Sequence, residues 1–189
     1  MSYAGPFIAL VWPTLLSAVA VFIVSSLMHM VSSWHRSDYV GLPDEDGFRK
    51  AVTPMKIPPG DYFVPKPGGM AQMKDPAFIA KLTDGPRIVM TVMPNGVQSM
   101  GGPLIGWFIY SIVVNAIAGH IAWATIPRGA PYRLVFHTVA LAAFAGYSLA
   151  LWQARVWFGR SLSTTVKGTI DGLIYGIVTA GVFGWMWPK

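Results

Sequence analysis

Chemistry in this chain starts from its histidines. There are four, at positions 29, 35, 120 and 137, in 189 residues that contain no cysteine. Without thiols there is no disulfide, no cysteine-held iron–sulfur cluster and no thiol nucleophile. The run Met28-His29-Met30, with His35 and Asp38 close behind, puts imidazole, thioether and carboxylate within a short stretch. Thioether and imidazole together suit Cu(I). Eight of the ten methionines fall between residues 28 and 100, which makes His29, His35, Asp38, Met70 and Met73 a candidate metal set. Against it, Met28 and Met30 flank His29 on diverging faces of a helix, and methionine also fills irregular gaps in small cores. The preferred reading makes Trp34, His35, Arg36 and Tyr39 an interfacial belt where a membrane helix leaves the bilayer.

His120 and His137 lie near the opposite ends of their segments from the first pair, so one four-histidine centre is excluded. Imidazole suits haem iron, and these two are the candidate haem ligands. Packed helices lie about 8–10 Å apart, and a porphyrin between two axial histidines needs more room. Hydrogen bonds to a hydroxyl, a carbonyl or each other are the simpler expectation. Asp171 is the single acidic residue in the long apolar segments. A carboxylate at the bilayer centre costs about 2.5–3.5 kcal/mol. Lys167, four residues earlier and on the same helix face, offers an intramembrane ion pair.

The elements that must position these groups are apolar and long. The chain is 53% hydrophobic and 12% charged, against roughly 25% charged in an ordinary soluble domain. Four segments, residues 6–31, 103–126, 132–154 and 166–187, reach the roughly 20 residues that a spanning helix needs. Within hydrocarbon every backbone polar group must be paired internally, so each reads as a helix. The first has no basic residue before its apolar run and is longer than the core of a cleaved signal, so it reads as a retained helix. Pro13 removes a backbone donor within it.

Residues 32–102 form the one extramembrane cap. It holds eight basic and seven acidic residues, and nine prolines fall between Pro43 and Pro94. Acids after Pro43 mark a helix start, and Asp75-Pro76 marks a second with Asp75 as N-cap. Residues 61–64 and 87–93 read as strands that pair. The short-loop charges are Arg36, Arg155, Arg160 and Lys167 on the cap side, and Arg128, Arg133, Lys189 and the amino terminus opposite. Lys and Arg alone, four against three, lean weakly to a cytoplasmic cap, and counting the amino terminus makes the two sides equal. The scattered basic residues are no nucleic-acid footprint. They suit anionic lipid, the expected partner of such a surface.

Membrane helices associate through close backbone approach, which favours small residues at the contact. The fourth segment carries Gly168, Gly172, Gly176, Ala180 and Gly184 at four-residue spacing, hence on one face. The third carries Ala142, Gly146 and Ala150. These stripes predict intramolecular packing, or a face offered to another subunit. No G-x-S-x-G, H-E-x-x-H, P-loop or dinucleotide fingerprint is present.

The phrases WHRSDYVGLPDEDGFRKA, PPGDYFVP, GPRIVMTVMPNG and STTVKGTIDGLIYGIVTAGVFGWMWP resemble, over most of the chain, a group of bacterial inner-membrane proteins with four spans and one cap loop. The resemblance implies location and architecture and carries over no catalytic residue. The expected fold is an all-α membrane protein of four transmembrane helices with a small mixed cap between the first two. The expected role is a non-catalytic structural or accessory subunit of a larger membrane assembly, with lipids and other membrane subunits as partners and no nucleic acid. No cofactor is expected. The alternatives are a copper-, metal- or haem-binding membrane protein, or a lipid- or small-solute-handling one.

Overall fold

Four helices long and apolar enough to cross a membrane, covering Ile8–Val31, Gly101–Thr125, Tyr132–Phe158 and Leu162–Met186, organise the chain in a computed structural model that describes residues 5–189. This is the all-α membrane architecture expected from composition. The chain divides into two compact units, the helical bundle with residues up to Val40 and from Ser99 onward, and the segment Gly41–Gln98.

In the bundle, α1 (Gly5–Ser26) continues into a wide π-turn at Leu27–Val31. α4 (Gly101–Thr125) follows the cap. The third span is not one regular helix. α5 (Tyr132–Phe144) passes through a second π-turn, Ala145–Leu149, into α6 (Leu151–Phe158). Gly159, at φ 68°, ends α6 in the left-handed conformation that glycine adopts without a Cβ penalty. α7 (Leu162–Met186) closes the ring, packing on both α1 and α5, while α4 also packs on α1 and α5. The helices run a few residues beyond the expected apolar limits. At the start of α7, for example, the Thr165 hydroxyl donates to Ser161 O at 2.8 Å.

The α7 stripe is used inside the chain. A Cβ at Gly176 would stand 2.9 Å from Ala140 O and 3.1 Å from Phe144 N, both backbone atoms of α5. One at Gly184 would meet the Tyr132 ring and one at Gly168 the Leu151 side chain, and Ala180 is fully buried. The α5 stripe holds in part. Ala142 packs against the core and a Cβ at Gly146 would stand 2.8 Å from Val114 of α4, while Ala150 is exposed. Val135, Val139, Ala143 and Tyr147 carry the buried face, and the π-turn, which adds a residue to one turn, takes Ala150 off it.

Asn115 pegs three helices together. Its side-chain oxygen accepts from the Tyr147 hydroxyl at 3.1 Å and the Thr179 hydroxyl at 3.0 Å. At the far end, Trp187 donates to Pro127 O and Gly129 N to Pro188 O.

The cap unit holds α2 (Glu45–Val52), β1 (Gly60–Val64), α3 (Pro76–Asp84) and β2 (Ile88–Val92). Asp44 caps α2 by accepting from Gly47 N, and Asp75 caps α3 by accepting from Ala77 N. β1 and β2 pair antiparallel with Tyr62 opposite Met90. Phe78 is its one buried hydrophobic residue among those described.

Candidate functional site

The π-turn at the end of α1 sets the position of His29, whose Nδ1 lies 3.0 Å from Ser25 O. The chain then reverses. Trp34 N donates to Ser32 Oγ, Arg36 N to Ser33 O and Asp38 N to His35 O. This compact turn folds residues 34–38 back onto the first half of α7.

Three contacts follow from that reversal. The His35 ring stacks on His29, with centroids 4.0 Å apart and planes 8° apart. His35 Nδ1 stands 2.7 Å from Asp38 Oδ2, and its Nε2 stands 3.1 Å from Asp171 Oδ2. Trp34 Nε1 donates to Asp171 Oδ1 at 3.2 Å. A ligand atom from each of His29, His35 and Asp171 lies within 4.8 Å of the others. His35 therefore does not join an exposed interfacial belt. It points inward, because the reversed turn gives both of its nitrogens carboxylates to face.

The expected Lys167–Asp171 pair is corrected as well. Lys167 Nζ donates to Asp38 Oδ1 at 3.0 Å and to Ser37 Oγ at 2.8 Å, and it sits 5.7 Å from the Trp34 ring centroid. A long cationic side chain near a helix end extends toward the membrane boundary, and there the turn presents Asp38. Burial acts to raise the Asp38 carboxyl, but hydrogen bonds from His35 and Lys167 together with the Lys167 charge outweigh it. The group lies below its ordinary value of 3.8.

Of the candidate metal set, His29, His35 and Asp38 come together, and Asp171 joins them. Met70 and Met73 belong to the cap unit, on and beside a short 3-10 turn, where both are exposed. His120 and His137, the candidate haem pair, are both exposed on the outside of the bundle. Neither makes a hydrogen bond among the described residues, and His137 meets the ring of Phe136 edge-on. The helix faces that carry them are not the packed ones.

Beside the cluster lies a pocket of about 430 Å³, between the end of α1 and the start of α4 and α7. Met30, Pro103, Leu104 and Leu151 supply apolar wall, while His29, Asp171 and Tyr175 also line it. The Tyr175 hydroxyl is buried and has no hydrogen-bond partner among the described residues. Trp107 donates to Ser25 Oγ at 2.8 Å and packs edge-on against Tyr175. A smaller, more polar pocket of about 120 Å³ is lined by His29, His35, Asp38, Arg160 and Asp171.

Sequence reasoning did not join Trp34 and His35 to Asp171. The available signal was a lone acid in the spans and a Trp-His pair just past the end of the first. No family model, no curated protein and no solved structure matches the chain.

Proposed function

We propose that this multi-pass membrane protein binds an amphiphilic small molecule whose oxygen-bearing head enters the pocket beside His29, Asp171 and Tyr175. The carrying observation is the pocket itself. At about 430 Å³ it falls within the usual range for small-molecule sites, with the usual apolar wall and few polar groups. The unpartnered Tyr175 hydroxyl is one of those groups. A buried hydroxyl without a partner costs about 1–3 kcal/mol, and a carbonyl or hydroxyl head would accept its hydrogen bond. The bacterial inner membrane is the proposed location.

The test is purification in a mild detergent followed by native mass spectrometry. A retained lipid or quinone-like molecule, released by Tyr175→Phe and by Leu104→Trp, supports the proposal. A protein that elutes free of small molecules, and whose Trp107 fluorescence ignores added short-chain quinone and fatty alcohol, overturns it.

An accessory role in a larger assembly is a second proposal, and one observation favours it. Gly102 and Gly106, spaced four apart on α4, are both exposed, with nothing within 4 Å of a Cβ built at either. Such a pair permits close approach of a second membrane helix. Co-elution of a protein partner, lost in Gly106→Leu, tests it. A clean monomer in gentle detergent overturns it.

A further inference from the structure

We propose that His29, His35 and Asp171 form a binding site for one divalent ion of the zinc class, at the polar end of the larger pocket that His29 and Asp171 also line. Ser25 O and the Asp38 carboxylate can only accept hydrogen bonds, so Nδ1 of His29 and Nδ1 of His35 each carry a proton. In the neutral tautomer this leaves the lone pair on Nε2. Histidines that ligate metals are oriented in this way, by giving the other ring proton to a carbonyl or a carboxylate.

The second step is a conflict in the cluster. His35 Nε2 is buried and has no hydrogen-bond partner, although Asp171 Oδ2 is only 3.1 Å away. With a lone pair on Nε2 the contact sets acceptor against acceptor, and a cation between them, proton or metal, makes it favourable. The Asp171 side chain is 5% exposed and lies inside a membrane-spanning helix. Its near cation, Lys167, is engaged by Asp38. A cation placed among the two Nε2 atoms and the Asp171 carboxylate removes the conflict and neutralises the acid.

The third step concerns which cation. Arg160 lines the same small pocket, so the site is not strongly acidic overall. It does not suit magnesium or calcium, which rely on several oxygen ligands. Two imidazoles and one carboxylate suit zinc-class ions, with a further position left for water. Zinc–ligand bonds of about 2.0–2.2 Å are shorter than the present spread of the ligand atoms allows. Binding therefore draws the three groups together and ends the parallel stacking of the two rings, since lone pairs in parallel planes do not converge.

The experiment uses the full chain in detergent, stripped with chelator and titrated with Zn²⁺ by calorimetry and with Co²⁺ by absorption. One equivalent is expected to bind, with Co²⁺ bands of four- or five-fold coordination. His29→Ala, His35→Ala and Asp171→Asn should each weaken binding by more than about tenfold, and Asp38→Asn by about ten- to a hundredfold through loss of orientation. His29 is exposed, so His29→Ala should keep wild-type helicity, and circular dichroism checks this. Zn²⁺ should raise the melting temperature of the wild type but not of that variant. No stoichiometric binding, or equal binding in wild type and folded His29→Ala, overturns the proposal. The first of these outcomes would leave a shared proton as the cation in the cluster.

Discussion

The Lys167 ammonium stands 3.0 Å from Asp38 Oδ1, while Asp171, one turn along its own helix, faces His35 and Trp34 instead. The two acids thus divide the cations and donors at this end of the bundle. Asp38 takes the lysine and the His35 Nδ1–H, and Asp171 takes the indole N–H and faces the other imidazole nitrogen. The division ties the turn after α1 to α7 through part-buried side chains.

This arrangement predicts an acid-sensitive fold. The Asp38 carboxyl is held below its ordinary value of 3.8 in the folded protein. A group depressed on folding contributes stability above its unfolded value, and the contribution is lost as pH falls through the folded value. In chelator-treated protein, the melting temperature of the wild type should fall as pH drops below about 4. Asp38→Asn should start lower near neutral pH and lose less over the same acid range. Parallel melting curves for the two proteins across that range would refute the coupling.

A second prediction concerns the close contact of α7 with α5. At Gly176 an added methyl would meet backbone atoms, Ala140 O and Phe144 N, which cannot rotate away. Gly176→Ala should destabilise the bundle by about 1–3 kcal/mol, the usual cost of overpacking. Gly168→Ala should cost less, because its neighbour is the end of the Leu151 side chain. Equilibrium unfolding in mixed micelles checks the order, and equal effects at the two positions would contradict it.

The Asn115 peg gives the third. Asn115→Leu leaves the Tyr147 and Thr179 hydroxyls without their shared acceptor. Interhelical hydrogen bonds of this kind are worth about 0.6 kcal/mol on average in membrane proteins. Asn115→Leu should therefore cost about 1 kcal/mol and Tyr147→Phe about half of that. The same unfolding assay decides it, and an Asn115→Leu protein as stable as the wild type would show that the peg contributes nothing net.

Much of the architecture was legible because it depends on local composition. An apolar run of spanning length has no stable alternative in lipid to a helix. The caps at Asp44 and Asp75 and the β1–β2 pairing likewise arise between residues near in sequence or strongly patterned. The α7 glycine face was legible for the same reason, since an unbroken helix preserves four-residue spacing. The third-span face was legible only at Ala142 and Gly146, because nothing in Ala145–Leu149 announces the π-turn that takes Ala150 off it.

The candidate site was legible only in pieces. His29, His35 and Asp38 stood out by residue type, and Asp171 stood out as the lone acid of the spans. Pairing Lys167 with Asp171 followed helix spacing correctly, yet that geometry was overruled by Asp38 arriving from a distant turn.

By itself the sequence determined four membrane helices, a proline-broken cap and the small-residue face of α7, since each depends on hydropathy or on spacing within one segment. The tertiary structure alone decided that Trp34 and His35 turn inward to Asp171, and that a pocket opens beside them. Those contacts join residues far apart in the chain, and their geometry is set by how a π-turn and a tight reversal aim side chains, which no local pattern encodes.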